Sequence, residues 1–304
     1  PEMKKAGYEP NFSAAVTAAA ATTGMLIPPS NILIVYAIAS GGVSIAALFM
    51  AGYIPGIMVG LALMMVCYGY AKIKGYPLAP RLPLSVVFKK VLQAIPSLFL
   101  IILVIGGIVG GIFTPTEAGA IAVVYALLLA VVFYKEVALN ALPGIMLKAA
   151  ETTAIVMLLI AASTAMSWLL SFENIPQTLS NALLTVSDNP LLILLLINLL
   201  LIVVGAFLDM TPAVLIFTPI FLPVAMQLGM SELQFGIMLV LNLSIGLCSP
   251  PVGAVLFITC AIAKTKLENI IKPLLPLYAA MFVVLMLITY VDWFSEALPR
   301  ALGF

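Results

Sequence analysis

An interrupted apolar run contains the residues best suited to chemistry in this sequence. Between Glu232 and Lys264 the chain has no charged residue, a length that predicts a membrane-spanning segment. The middle of the run, 242–253, holds hydroxyl and amide side chains together with Pro250 and Pro251. Adjacent prolines remove two backbone donors, so we expect two half-helices with unwound backbone between them. The freed carbonyls and the side-chain oxygens suit a small, hard cation.

A second segment repeats this pattern near the start of the chain. Thr22–Asn31 has the same spacing of a hydroxyl residue, a glycine and two prolines. Gly24 and Gly246 are 222 positions apart, and the same offset joins five other pairs. They are Pro1 with Pro223, Gly7 with Gly229, Thr22 with Ser244, Pro28 with Pro250 and Pro29 with Pro251. A simple proline kink is the alternative for either segment alone, but it does not explain a shared offset. Paired interrupted spans indicate the binding site of a transporter.

Composition predicts that the chain lies in a bilayer. The 304 residues are 64% hydrophobic and 8% charged, against about 25% charged residues in a soluble domain. Apolar runs of about 20 residues predict helices rather than barrel strands, so the expected class is an all-α membrane protein. The chain has no histidine, and its three cysteines are widely spaced. A net charge of +1 gives no reason to expect a nucleic-acid partner.

Basic residues predict the orientation of the two repeats. Lysines lie after the second broken span, within 264–272, but before the first, within 1–11. Because cytoplasmic loops are enriched in Lys and Arg, the repeats are expected to cross the membrane in opposite directions, as an inverted repeat. The same count requires 191–228 to enter and leave from one side. That segment is therefore predicted to be a re-entrant helical hairpin, with Asp209 near its tip.

Asp209 is the acidic residue that this topology places deepest in the membrane. A carboxylate at the bilayer centre costs at least about 2.5 kcal/mol, which makes it a functional candidate. It can give charge to a cation site, with the Thr211 hydroxyl close by in sequence. Two alternatives stay open, a carboxylate that caps the following helix and a carboxylate that carries a proton. Elsewhere, Thr114 or Thr116 is expected to cap a helix whose first turn contains Glu117.

Several motifs resemble the large membrane subunit of tripartite ATP-independent periplasmic (TRAP) transporters, in the ion transporter superfamily. They extend over the whole chain and are Pro1-Glu-Met-Lys-Lys-Ala-Gly-Tyr8, Ile27-Pro-Pro-Ser30, Gly111-Ile-Phe-Thr-Pro-Thr-Glu-Ala-Gly119, Asp209-Met-Thr-Pro212 and Ser249-Pro-Pro-Val-Gly253. The resemblance implies an elevator-type secondary transporter of the bacterial inner membrane. In such a transporter sodium drives uptake of a carboxylate-bearing solute, for example a sialic acid or a C4-dicarboxylate. A periplasmic binding protein and a small membrane subunit, separate or fused ahead of the chain, are the implied partners.

The resemblance also implies where the ligands bind. Family members have a first hairpin ahead of the counterpart of Pro1, and sodium sites lie where each hairpin tip meets a neighbouring break. The expected sodium ligands are Gly24, Ile27, Asp209, Thr211, Gly246, Cys248 and Ser249. The residues expected to bind substrate are Thr22, Ser30, Asn31, Thr211, Asn242 and Ser249. The expected transport domain comprises 1–44 and 190–268, and the expected scaffold comprises 45–189, with a cytoplasmic loop at 72–90, and a last helix in 269–304.

Other functions fit the sequence less well. An intramembrane enzyme needs a nucleophile or a set of metal ligands, and no second deep acid or deep lysine accompanies Asp209. An ion or solute channel and a proton-coupled carrier that uses Asp209 are the alternatives to a sodium-coupled carrier.

Overall fold

Every regular element in the described part of the chain is helical. A computed structural model describes residues 2–76, 83–174, 178, 182, 189–250 and 253–304. Its helices are α1 Glu2–Lys5, α2 Pro10–Leu26, α3 Asn31–Ala39, α4 Ile45–Lys74, α5 Leu84–Val109, α6 Pro115–Leu127, α7 Leu142–Phe172, α8 Pro190–Phe207, α9 Met210–Gln227, α10 Glu232–Leu247, α11 Ala254–Ala263, α12 Leu267–Tyr290 and α13 Trp293–Ala301. A π-helical segment, Leu128–Phe133, continues α6, and a short 3-10 helix, Leu139–Ala141, precedes α7. The predicted all-α class is confirmed.

Seven helical segments in the described ranges are long and apolar enough to cross a membrane. They are Ile45–Lys74, Leu84–Val109, Pro115–Phe133, Leu139–Met166, Pro190–Phe207, Met210–Gln227 and Leu267–Tyr290. In addition, α2 and α3 together reach that length but are bent by 52° at the break between them. The chain is therefore a multi-pass membrane protein, as its composition predicts.

A capping box closes the start of α6. The Thr114 hydroxyl accepts a hydrogen bond from the Glu117 N–H at 3.3 Å. In return, the Glu117 carboxylate accepts one from the Thr114 N–H at 2.8 Å. Two backbone donors that an isolated helix start leaves without partners are thus satisfied. Of the two predicted caps, Thr114 is the one that forms, and the contacts of Glu117 are those of a helix start.

Two helices begin earlier than the predicted bounds. The loop expected over 72–90 is shorter than predicted, because α5 starts at Leu84, directly after a proline that occupies the N-cap position. The last helix, expected within 269–304, starts at Leu267 and runs through both Pro273 and Pro276. Membrane helices tolerate internal proline because neighbouring groups satisfy the freed carbonyls. The segment 173–189, whose polar and apolar residues alternate at the spacing of a surface helix, lies largely outside the described residues.

The chain divides into two compact units, and one of them contains both breaks. That unit comprises Pro1–Pro77 and Leu159–Phe304. Its centre is α10, of which every residue from Gln234 to Leu247 is buried, since α2, α4, α8, α9 and α12 all pack against it. A helix that is apolar on all sides is expected at such a position. α4 also belongs to this unit and packs against α2 of the first broken span. The predicted division into a transport domain and a scaffold domain stays a prediction.

The second unit, Leu78–Leu158, contains α5 and α6. These helices pack through the Tyr125 hydroxyl, which donates to the Pro96 carbonyl at 2.8 Å. Phe113 folds back over Gly107, where an added Cβ would lie 2.1 Å from its ring. Most other large side chains on α5 and α6 are exposed and apolar, as expected for helices that face lipid.

Candidate functional site

The first break lies between α2 and α3. The Ile27 N–H still donates to the Thr23 carbonyl at 3.0 Å, and the chain leaves the helix after that bond. Across the break, the Ser30 hydroxyl donates to the Met25 carbonyl at 2.5 Å. Ser30 is only 3% exposed and Met25 is half-buried, so this bond is partly buried. The Ser30 side chain, predicted to bind substrate, therefore also joins the two half-helices.

A glycine face of α4 receives the end of α2. A Cβ added at Gly52 would lie 2.3 Å from the Leu26 carbonyl oxygen, and one at Gly56 would lie 2.5 Å from the Ile27 side chain. Small residues spaced by four positions allow membrane helices to approach this closely. The spacing of Gly52, Gly56 and Gly60 is such a signal, and the motif analysis above does not use it.

The second break follows the end of α10. The Ile245 carbonyl accepts three hydrogen bonds, from the Cys248 N–H at 3.1 Å, the Ser249 hydroxyl at 3.1 Å and the Tyr278 hydroxyl at 2.6 Å. The Gly246 carbonyl accepts a bond from the Ser249 N–H at 2.7 Å and is also approached by the Cys248 N–H. Both carbonyls are thus satisfied by the protein itself, as a helix end away from water requires.

Two glycines bring α8 and α10 into backbone contact beside this second break. A Cβ added at Gly246 would lie 2.6 Å from the Gly205 Cα and 3.0 Å from the Ile202 carbonyl oxygen. A Cβ added at Gly205 would lie 3.0 Å from the Leu243 carbonyl oxygen. Gly24, the counterpart of Gly246 in the first repeat, has open space at the same position. Gly205 is absent from the predicted site, although it is a rare small residue in a run of large apolar ones.

Residues from the two breaks meet at a small cavity. Thr22 lines it from the first repeat, and Ser244 and Cys248 line it from the second. Its volume is about 10 Å³, close to the smallest space that holds one water molecule. The Cys248 thiol lies 3.3 Å from the Ala18 carbonyl oxygen, which joins α2 to the end of α10. The fold therefore brings together Thr22 and Cys248, two predicted site residues far apart in sequence.

The hydroxyl groups at this cavity are oriented by their own helices. The Thr22 hydroxyl donates to the Ala19 carbonyl at 2.7 Å, and the Ser244 hydroxyl donates to the Val240 carbonyl at 2.7 Å. Each hydroxyl has one hydrogen and two lone pairs, so its remaining capacity is that of an acceptor. Oxygens in this state suit a cation or a donor better than a carboxylate.

Asp209 occupies the N-cap position of α9. Its side chain is exposed and makes no capping hydrogen bond. The next residue, Met210, is buried, and its sulfur lies 3.9 Å from the Ser244 hydroxyl. The turn between α8 and α9 therefore packs on α10, close to the second break. The cap expected as one alternative for Asp209 does not form, while the start of α9 still favours a negative charge.

The other predicted site residues have different surroundings. Asn31 and Gly24 are exposed, and Thr211 is half-buried. Asn242 is fully buried, and its side-chain nitrogen donates to the Asn198 side-chain oxygen at 2.7 Å. Within the described residues, no group of three or more His, Cys, Asp or Glu side chains converges on a metal position. The ligands available to a cation at the second break are therefore chiefly hydroxyl and carbonyl oxygens.

Fold and site together define a multi-pass helical membrane protein whose interrupted spans meet around buried oxygen atoms. The family model described as "Tripartite ATP-independent periplasmic transporter, DctM component" matches residues 1–294. The chain belongs to this family of large membrane components of TRAP transporters, and it is a transporter subunit rather than an enzyme.

Curated relatives agree with this family over nearly the whole chain. The "C4-dicarboxylate TRAP transporter large permease protein DctM" of Pseudomonas aeruginosa is 38% identical over 99% of this chain and 70% of its own length. The "Sialic acid TRAP transporter large permease protein SiaM" of Vibrio cholerae is 38% identical over 98% of this chain and 70% of its own. The Salmonella typhimurium protein YgiK, whose name states no function, is 50% identical over 98% of this chain and 68% of its own.

Proposed function

We propose that this chain is the large membrane subunit of a sodium-coupled secondary transporter of the bacterial inner membrane. It imports a carboxylate-bearing solute, either a sugar acid such as sialic acid or a C4-dicarboxylate, solutes that the names of two of its relatives state. A periplasmic binding protein delivers the solute, and a small membrane subunit accompanies the chain. The expected transport domain, 1–44 and 190–268, carries the bound solute across the membrane as an elevator.

The position of Asp209 carries the proposal of sodium coupling. Its carboxylate lies at a helix start without a capping hydrogen bond, one residue from a side chain that packs beside the second break. A carboxylate near the centre of a membrane requires a compensating cation or a proton. The proposed ligands are Asp209, Thr211, Gly246, Cys248 and Ser249 for one sodium ion, and Gly24 and Ile27 for a second.

The solute carboxylate is proposed to bind between the breaks. The helix starts at Asn31, Met210 and Ala254 present backbone N–H groups, which favour an anion. Asn31 and Thr211 are proposed to complete this site. The hydroxyls of Thr22, Ser30 and Ser249, whose hydrogens are donated to backbone carbonyls, are proposed to accept hydrogen bonds from donor groups of the solute. Asn242, the remaining predicted substrate ligand, is considered separately below.

The inverted orientation of the repeats and the re-entrant hairpin belong to the same proposal. Single cysteines introduced in a cysteine-free background test both features. Reagents added from the periplasmic side should label positions 44 and 231 but not positions 74 and 266. Labelling of 44 and 266 from the same side excludes the inverted arrangement.

Uptake into proteoliposomes tests sodium coupling. The full-length subunit, its small partner and loaded binding protein are reconstituted with imposed sodium or proton gradients. Asp209→Asn keeps the shape of the side chain but removes its charge, at a cost of about 1.5–3 kcal/mol for a charged interaction. We expect the half-saturating sodium concentration to rise about tenfold or more. Glu232→Gln, which neutralises a carboxylate at the start of α10, is the matched control and should change it little.

Three outcomes contradict the proposal in different ways. Sodium-driven uptake with the same sodium affinity in Asp209→Asn removes this residue from the site. Uptake driven by a pH gradient alone, and lost in Asp209→Asn, establishes the proton-coupled carrier instead. Flux that does not saturate with solute establishes a channel.

A further inference from the structure

A buried polar network connects α8, α10 and α12 in the unit that contains both breaks. Its members are Asn198, Gln234, Asn242 and Thr289, and none is more than 5% exposed. Asn198 is the only polar side chain in the sequence of α8, Pro190–Phe207. A buried polar group in an apolar helix destabilises the protein unless it is hydrogen-bonded. The hydrogen-bond partners of Asn198 therefore show which helices it connects to α8.

The hydrogen bonds of this network run from α10 to α8 and then to α12. The Asn242 side-chain nitrogen donates to two oxygens of Asn198, the side-chain oxygen at 2.7 Å and the backbone carbonyl at 2.9 Å. The Asn198 side-chain nitrogen then donates to the Thr289 hydroxyl at 3.2 Å and to the Leu194 carbonyl at 2.9 Å. The Asn242 amide contacts both the side chain and the backbone of Asn198. It therefore restricts the rotation of α8 about its own axis and its sliding along α10.

This amide pair lies on the same line of contact as the two glycines. Gly246 follows Asn242 by four positions, and Gly205 follows Asn198 by seven. Residues four or seven positions apart lie on one face of a helix. The α8–α10 interface therefore has two adjacent anchors, a hydrogen-bonded pair and a backbone contact. Both the proposed ligand and the break lie just beyond these anchors: Asp209 follows Gly205 by four positions, and α10 ends one residue after Gly246.

We propose that Asn198 and Asn242 form an amide clamp that positions the Asp209 turn against the second break. The clamp sets the sodium affinity of the proposed site without touching the ion, so both asparagines are positioning residues. This inference rests on the proposed sodium site, and it gives Asn242 a role other than substrate binding. A shift of α8 along α10 changes the distances between Asp209 and the oxygens of the break, which is why the clamp affects affinity.

Leucine replacements of the clamp residues have a matched control in the same helix. Gln234 is also a buried amide of α10, and its side-chain nitrogen donates to the carbonyls of Ile288 at 2.9 Å and Thr289 at 3.1 Å. It lies about two helical turns before Asn242, away from the break. Asn198→Leu, Asn242→Leu and Gln234→Leu all lose buried amide hydrogen bonds, so they should lower the melting temperature of the purified full-length subunit to a similar extent.

The first measurement is the sodium dependence of the variants. Half-saturating sodium is measured for uptake and for the sodium-induced rise in melting temperature. We expect half-saturating sodium to rise about tenfold in either clamp variant. In the double variant it should rise by less than about a hundredfold, the product of the two single effects, because the two residues act as one pair. Gln234→Leu should stay within about twofold of the parent, and half-saturating solute should stay unchanged in all variants.

The second measurement does not involve sodium. Cys248 is 1% exposed at the second break, so its labelling rate by a thiol reagent in a Cys67→Ala/Cys260→Ala background reports how tightly the break is held. We expect at least about tenfold faster labelling in both clamp variants and little change in Gln234→Leu. Unchanged labelling in the clamp variants overturns the clamp, whether or not the transporter uses sodium.

The remaining outcomes separate the clamp from the function on which it rests. If Gln234→Leu shifts sodium dependence as much as Asn242→Leu, the effect is one of general stability and the clamp is refuted. If Asn242→Leu changes half-saturating solute but not sodium, Asn242 is a substrate ligand and the clamp is again refuted. If the parent protein shows no sodium dependence but Cys248 labelling changes as expected, the sodium site fails and the clamp remains as the element that holds the break.

Discussion

The two breaks have the same spacing of glycine and proline but different neighbours. Gly246 touches the backbone of α8, whereas Gly24 has open space around it. The first break is covered instead by α4, whose glycine at position 52 meets the Leu26 carbonyl. The shared motif therefore determines where each helix ends. The helices that pack around each break determine which contacts stabilise it.

The two breaks also differ in how their backbone carbonyls are satisfied. At the first break, the Met25 carbonyl accepts a hydrogen bond from the Ser30 hydroxyl. At the second, the Ile245 carbonyl accepts two further donors besides the Ser249 hydroxyl, one of them the Tyr278 hydroxyl of α12. The Ile245 carbonyl at the second break thus has more than one hydrogen-bond donor. We therefore expect removal of the Ser249 hydroxyl to destabilise the protein less than removal of the Ser30 hydroxyl at the first break.

The largest expected difference comes from alanine at the matched glycines. Gly246→Ala places a Cβ 2.6 Å from the backbone of α8, which cannot move without separating the helices, so we expect a loss of about 3 kcal/mol. Gly24→Ala meets no such atom and should stabilise its helix by up to about 1 kcal/mol. Unfolding of the purified subunit in sodium-free detergent solution measures both. Equal effects of the two substitutions contradict the difference in packing.

A smaller effect is expected from alanine on the glycine face of α4. Gly52→Ala places a Cβ 2.3 Å from the Leu26 carbonyl oxygen and should cost about 2 kcal/mol, since α2 must move away from α4. Gly60→Ala is the control on the same face, because its Cβ would lie 3.8 Å from Thr23, an ordinary contact. If Gly60→Ala destabilises the subunit as much as Gly52→Ala, the first break is not held by this contact.

The smallest effect is expected from the two serines, with the first break the more sensitive. Ser30→Ala removes the hydroxyl that donates to the carbonyl of the half-buried Met25, at an expected cost of about 1–2 kcal/mol. Ser249→Ala leaves the Ile245 carbonyl with its other donors and should cost about 0.5 kcal/mol. Adding Tyr278→Phe to Ser249→Ala should then raise the loss above that of Ser249→Ala alone. The melting temperatures of the three variants without solute or sodium decide the order, and a larger loss for Ser249→Ala than for Ser30→Ala reverses it.

Local chemistry made part of this architecture predictable from the sequence. Hydrophobic composition requires a bilayer, and adjacent prolines remove backbone donors whatever surrounds them, so the spans and both breaks follow from the residues alone. The Thr114–Glu117 capping box is equally local, since its partners lie three positions apart. The family likewise follows from motifs that can be read in order along the chain.

The tertiary structure decided which of these residues meet. A glycine shows in sequence only that a side chain is missing, and the helix that approaches Gly246 comes from a segment more than 40 residues away. Asn198 is visible as a polar residue in an apolar helix, but its bond to Asn242 depends on the rotation of α8 against α10. Asp209 could cap its own helix by sequence, and only the side-chain conformation shows that it does not. Proline and composition act within one segment, whereas a close approach or a buried hydrogen bond needs two segments whose relative position only packing determines.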